Sequence, residues 1–151
     1  MTGTVSAILL AGARPIPDPL AKAAGVAVKP LVPVAGEPMI NRPARALLDH
    51  PTIGEVIILT QRPDAYAAEP ATPWLADHPR VRFETGGQGI ASSLLAMMEA
   101  RALAFPVLLT TAGHGRLGRA MLDQFVGEAQ GADIAVAMVE RATLVARYPQ
   151  S

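Results

Sequence analysis

The chain contains no cysteine and only two lysines among its 151 residues, and aromatics make up just 4% of it. Without cysteine there is no disulfide framework and no thiolate metal site, and a cytoplasmic location is the default expectation. Formal net charge is zero. Basic runs and aromatic–basic interleaving are both missing, so no nucleic-acid partner is expected. No apolar run approaches the ~18 residues a membrane helix needs. The start, Met1-Thr2-Gly3-Thr4, is not a basic leader, and the apolar segment after it reads as a strand, so no signal peptide is expected. The three histidines are His50 at a helix end, His78 before a proline and His114 in a loop. None has paired metal-ligand spacing, and no metal ligand is assigned to them.

What is present is aliphatic. Half of the residues are hydrophobic and 17% are charged, which excludes a disordered chain. At this length roughly 68–70% of the unfolded surface is buried on folding, enough for one real core. Residues 1–151 are therefore read as a single domain.

Short aliphatic runs alternate with helical patterns. Strands are expected at Val5–Leu10, Glu55–Thr60, Val81–Glu84, Pro106–Thr110 and Asp133–Val139. Helices are expected from Pro38 to about Leu48, over Ile90–Ala104 and over Leu117–Gln130. A short helix is placed around Trp74–Asp77 at most, within a proline- and alanine-rich stretch. Seven prolines fall between Pro15 and Pro43, so Arg14–Pro38 reads as a shaped loop with little helix. The alternation predicts an α/β fold with an open, mostly parallel sheet and flanking helices.

Function is concentrated in the first forty residues. Strand one ends in Leu10-Ala11-Gly12, and both lysines, Lys22 and Lys29, lie in the loop that follows. A glycine there lets backbone N–H groups approach an anion closely, and Arg14 and Lys29 are placed to meet phosphate oxygens. By itself a glycine after a strand is only a turn. Neither G-x-G-x-x-G nor a P-loop motif is present, which disfavours those two phosphate sites. Lys22 reads as a solvated surface residue.

The ordered set is more specific: Leu10-Ala11-Gly12, Arg14, Lys29-Pro30-Leu31, then Pro33-Val34-Ala35-Gly36-Glu37-Pro38-Met39-Ile40. It resembles the signature of the nucleotidyltransferases, in particular the group typified by molybdenum-cofactor guanylyltransferase. The resemblance implies a Rossmann-like fold of the glycosyltransferase-A type. It implies transfer of a nucleotidyl group from an NTP to a small phosphorylated acceptor, with release of pyrophosphate and with Mg²⁺ as cofactor. It places the nucleotide on the backbone of Leu10, Ala11, Gly12 and Ala13, and the phosphates on Arg14 and Lys29, which form the catalytic pair. A base and ribose pocket would form at Gly86-Gly87-Gln88-Gly89 and the helix after it, with Ser92 as the candidate contact and Gln88 as a weaker one. The same serine is also explained as a plain helix cap.

Two departures accompany the resemblance. Where the family's fourth strand ends in a metal-binding aspartate, this chain reads Thr110-Thr111-Ala112-Gly113, with glycine at the aspartate position. The family's catalytic domain also continues with further strands and a second carboxylate, so this chain reads as a fragment or a shortened homologue. Weak or absent transferase activity is expected, with a non-catalytic nucleotide-binding or regulatory remnant as one alternative and an unrelated Rossmann-like domain as another. The open sheet edges of a shortened fold point to self-association.

Overall fold

The computed structural model describes residues 5–12, 16–87, 89–100 and 103–149. The chain divides into two compact units, 1–119 and 120–151, and each is described by itself.

The first unit is built on β1 (Val5–Leu10), whose VSAILL sequence is buried along almost its full length. After it come α1 (Pro19–Ala24), a 3₁₀ turn at Lys29–Leu31, β2 (Pro33–Val34) and β3 (Glu37–Pro38). Next are α2 (Asn41–Leu48), β4 (Ile53–Thr60), α3 (Pro63–Ala68), α4 (Pro73–Asp77) and β5 (Val81–Thr85). The unit continues with α5 (Ile90–Glu99) and β6 (Val107–Thr111). The main sheet has the order β5-β4-β1-β6, and all of its pairs are parallel. This is the predicted mostly parallel α/β sheet.

The register fixes two faces. Ile8, Ile57 and Leu109 are in register across the sheet, as are Leu10, Leu59 and Thr111. On this face α5 presents Met97 to Ile8, Ile57 and Leu59, with Leu94 packed alongside. Nearer the start of the strands the same face turns polar. The Ser6 hydroxyl donates to Glu55 Oε1 at 2.8 Å, and Arg82 donates to Glu55 Oε2 at 3.1 Å. Elsewhere on the sheet α2 packs against β4 and β1, while α3 and α4 pack against β5. Tyr66 of α3 meets Phe83 of β5 with ring centroids 5.7 Å apart.

Several expectations are corrected. The proline-rich segment is not a loop with little helix. Asp18 caps α1 by accepting from the N–H groups of Leu20 and Ala21, Pro19 fits the first turn, and Gly25 closes the helix with φ 69°. Helix α2 begins at Asn41, because Pro38 is taken by the β2–β3 pair. Helix α3 was not expected; Pro63 at its start reads equally well as a helix opening and as a break. Helix α5 ends at Glu99.

In the second unit α6 runs from its start at the boundary (Arg119–Glu128), and Gly131 adopts φ 79° after it. The expected fifth strand at Asp133–Val139 is absent. A strand exists through its ladder. Among the described residues nothing pairs with this segment, and Ile134 and Met138 are 84% and 85% exposed. An aliphatic run supplies strand propensity but no partner. A last helix, α7 (Arg141–Arg147), follows Glu140 and was not expected.

The β2–β3 turn is tight. Ala35 and Gly36 both have positive φ, 50° and 88°, as a two-residue hairpin requires. Alanine has little tolerance for that region, and Ala35 is exposed, so no packing is lost on replacing it. Ala35→Gly is expected to raise the free energy of unfolding by about 0.5–1 kcal/mol, the left-handed penalty less the entropy of a new glycine. A urea titration reads this, and an unchanged or lower midpoint would show that Ala35 is not strained.

Candidate functional site

Chain order creates the site. From β1 the chain steps outward to β4 and β5, and β6 then adds on the other side of β1. The direction of strand order thus reverses at β1, and such a switch point leaves a crevice beyond the carboxyl ends of the strands. A cleft of ≈ 760 Å³ lies there. Its floor is made by Leu10 and Gly12 after β1, Gln61 and Arg62 after β4, Gly86 and Gly89 after β5, and Thr111 and Gly113 at β6. Asp18, Ala21, Lys29 and Pro30 form a wall from the opening segment.

Of the predicted backbone cradle, Leu10 and Ala11 are already committed. Leu10 O accepts from Ala112 N, and Ala11 N donates to Leu59 O, each at 2.9 Å. Ala11 O accepts the buried Tyr66 hydroxyl at 2.8 Å. Burial pushes the Tyr66 phenol well above its ordinary value, outweighing the opposing hydrogen bond with Thr60, so it remains a proton donor. What these bonds leave at the mouth is Gly12, whose N–H has no partner among the described residues. Ala13 and Arg14 lie outside the described residues, as does Gln88.

Lys29 lines the cleft from the start of the 3₁₀ turn, is exposed, and has no ion-pair partner among the described residues. Lys22 does not line the cleft. The turn is fixed from below: Ile40 N donates to Pro30 O at 2.9 Å and Met39 N to Val32 O at 3.0 Å. Part of the GEPMI stretch is thus a brace. Glu37 pairs with Arg42 and Arg45 of α2, Arg45 lies over the Trp74 ring at 5.3 Å, and Trp74 donates to Asn41.

At the second glycine turn the structure brings Ser93 to the cleft rather than Ser92. Ser93 Oγ accepts from Gly87 N at 2.8 Å and donates to Gly89 O at 2.7 Å. Ser92 bonds only to Gly89 O at 3.0 Å and lines a shallower neighbouring hollow. Ser93 holds the shape of the turn, and its spacing on the helix would have shown it to be the inward residue of the pair.

Two cleft residues were missed by sequence reasoning, Gln61 and Arg62. Gln61 Nε2 donates to Gly87 O at 3.3 Å. Arg62 is held by Asp64 through a bidentate pair at 2.8 and 3.0 Å, and those hydrogen bonds keep the Asp64 carboxyl below its usual range. The available signal was their place: two polar residues directly after an aliphatic parallel strand stand at the carboxyl end of the sheet.

The residues do not fit Mg²⁺, which takes carboxylate oxygens in near-octahedral order. Gly113 has no side chain, although a Cβ there would meet Met39 Sδ at 3.8 Å and Thr111 Oγ1 at 3.9 Å, ordinary contacts. A Cβ would therefore be accommodated. The one carboxylate lining the cleft among the described residues is Asp18, which caps α1. Also among the described residues, no three His, Asp or Glu side chains converge. His114 Nδ1 sits 3.5 Å from the Thr110 hydroxyl, His50 bonds to Thr52, and His78 accepts from Arg80 N.

The family model described as the MobA-like NTP transferase domain matches residues 8–148. No curated protein matches the chain. Among solved structures, a hypothetical transferase from Thermus thermophilus has a TM-score of 0.70 at 22% identity, covering 100% of this chain and 57% of its own. A 4-diphosphocytidyl-2C-methyl-D-erythritol synthase has a TM-score of 0.60 at 16% identity, covering 87% of this chain and 56% of its own. A CMP:2-keto-3-deoxy-manno-octonic acid synthetase complexed with CTP has a TM-score of 0.59 at 14% identity, covering 87% and 48%. These likenesses show the fold, and the chain spans about half the length of the structures it matches.

The floor geometry gives a direct test. A Cβ at Gly12 would lie 2.8 Å from Gln61 Oε1, so any side chain there must displace the carboxamide. Gly12→Ala is expected to cost no more than about 1 kcal/mol of stability, because the group that must move is the far end of a flexible side chain. Adding Gln61→Ala should return most of that loss. Unfolding free energies of the single and double variants measure the coupling, and strictly additive losses would show that the two residues do not meet.

Proposed function

The chain belongs to the MobA-like NTP transferase domain family, and on that premise we propose that its cleft binds a nucleoside triphosphate for nucleotidyl transfer to a small phosphorylated acceptor. In that reaction an acceptor phosphate oxygen attacks the α-phosphorus, the bond from it to the bridging oxygen breaks, and pyrophosphate leaves. The observation that carries the reading is Lys29, a cation with no ion-pair partner among the described residues, lining the same cleft as Gly12 at the end of β1. Triphosphate laid along Gly12 brings its oxygens to an open N–H group and to the Lys29 ammonium. The ammonium stabilises the charge that grows at the α-phosphate. Arg14, two residues beyond Gly12 in sequence, is the second phosphate cation. The base belongs at the β5 end, over Gly86 and Gly89, where Gln61 and the Ser93-braced turn offer polar groups.

Turnover by this chain alone is expected to be weak or absent. The donor set around Gly113 supplies no carboxylate to balance the charge of a phosphoryl-transfer transition state. That observation also favours a second reading, a nucleotide-binding domain of this family without transferase chemistry.

Binding of each of the four ribonucleoside triphosphates, measured by titration calorimetry, tests the first reading. Lys29→Ala is expected to weaken the best ligand about 10-fold or more, the loss of one charge-assisted contact of roughly 1.5–3 kcal/mol. Unchanged affinity would remove Lys29 from the site. Pyrophosphate release with NTP and phosphorylated acceptors separates the two readings: ordinary enzyme rates favour the transferase, and none favours the binding domain.

The outer edge of β6 is unpaired among the described residues, and Phe105 and Leu109 beside it are exposed. These features support self-association through a second copy. Sedimentation across the micromolar range should show mass rising with concentration; a clean monomer throughout would reject it.

A further inference from the structure

Resting on the nucleotide reading above, we infer that this cleft takes its nucleotide in the metal-free form, and that Mg²⁺ competes with the protein for the phosphates instead of joining them to it. Two observations carry this. First, the residue with which the β6 end lines the cleft beyond Thr111 is Gly113, which has no side chain to reach a cation. Its neighbours, Met39 Sδ at 3.8 Å and Thr111 Oγ1 at 3.9 Å from where a Cβ would stand, make ordinary contacts, so a side chain could begin there although the sequence supplies none. The missing ligand is thus a difference in chemistry, with the frame intact around it. Second, among the described residues the charged side chains lining the cleft are two cations, Lys29 and Arg62, and one carboxylate, Asp18. Asp18 faces α1 and accepts the N–H groups of Leu20 and Ala21 through Oδ1, and Arg62 is partly offset by Asp64. Lys29 is left as the main counter-charge.

A triphosphate carries about four negative charges when free and about two when complexed with Mg²⁺. A site whose contribution is a protein cation gains from the higher charge. A bound Mg²⁺ with no protein carboxylate to hold it occupies phosphate oxygens that Lys29 would otherwise contact. Where a carboxylate is present the order reverses, because the ion then links protein to ligand. One charge pair at contact distance in water is worth about a fivefold change in affinity, so the expected preference is about threefold to tenfold.

The experiment measures affinity of the full chain for each ribonucleoside triphosphate in excess chelator and in excess Mg²⁺ at matched ionic strength. The same titrations are then run on Gly113→Asp. For the natural chain the expected result is binding about threefold to tenfold tighter in chelator than in Mg²⁺, and equal affinity in the two overturns the competition. For Gly113→Asp the expected result is tighter binding in Mg²⁺. Binding by the natural chain that requires Mg²⁺, or that tightens in it, overturns this inference and leaves the nucleotide reading standing. A Gly113→Asp variant that is folded by circular dichroism yet shows the natural chain's metal response overturns the assignment of Gly113 as the missing ligand position. No nucleotide binding under either condition overturns both readings together.

Discussion

β1 is hydrogen-bonded on both edges, to β4 on one side and β6 on the other, and the site is set by where that double commitment ends. Inside the sheet each backbone group has a partner, as burial demands. The commitment runs one residue past the strand. Ala11 N is taken by Leu59 O and Ala11 O by Tyr66, while Leu10 O is taken by Ala112 N. Gly12 is the first described residue free of that framework. Shortening this brace would free more backbone at the mouth and destroy the floor that positions it. The Tyr66 bond is therefore part of the site although Tyr66 does not line the cleft. It reaches over from α3 and fixes a carbonyl next to the one glycine that has to stay open.

The opening segment shows how prolines shape a wall. Pro19 starts α1, Pro30 lies inside the 3₁₀ turn, and Pro33 and Pro38 face each other across the small hairpin. Each sits where its missing N–H costs nothing or its fixed φ suits the backbone. The result holds Lys29 in place by backbone geometry, while its side chain remains available to solvent and ligand. The Glu37–Arg45–Trp74 set then ties that geometry to α2 and α4. Much of what resembles a substrate motif in this stretch is the scaffold behind the cation.

The sheet was legible in the sequence because its two central strands, Val5–Leu10 and Ile53–Thr60, are largely buried and read as aliphatic runs. The same signal misleads at Asp133–Val139, since composition reports what a segment could bury and pairing depends on a second segment. Helices α1 and α3 were hidden because each opens with proline, a residue that both starts and stops helices. Of the site, Gly12 and Lys29 were legible from order along the chain. Gln61, Arg62 and Ser93 were missed although their places directly after an aliphatic strand and on the inward phase of α5 were signals, because reaching one cleft depends on register between distant strands.

Gly113 brings the two halves of the site into opposition. On one side the fold keeps the crevice, the open glycine and the cation that suit a triphosphate. On the other, the strand that delivers charge of opposite sign delivers none. Steric exclusion does not explain this, since ordinary contacts surround the position where a Cβ would stand. Nor is the backbone there in a conformation reserved for glycine, because Gly113 is not among the positive-φ residues described. A glycine where a Cβ would fit leaves the β6 end of the cleft without a side-chain charge at that position. Without the carboxylate, the Lys29 ammonium is not offset by a neighbouring anion at the β6 end, so an anionic ligand is held by attraction to the protein directly. For the function proposed above, binding and turnover place different demands on this site: the first rests on cations such as Lys29, and the second on a charge balance to which Gly113 contributes no side chain.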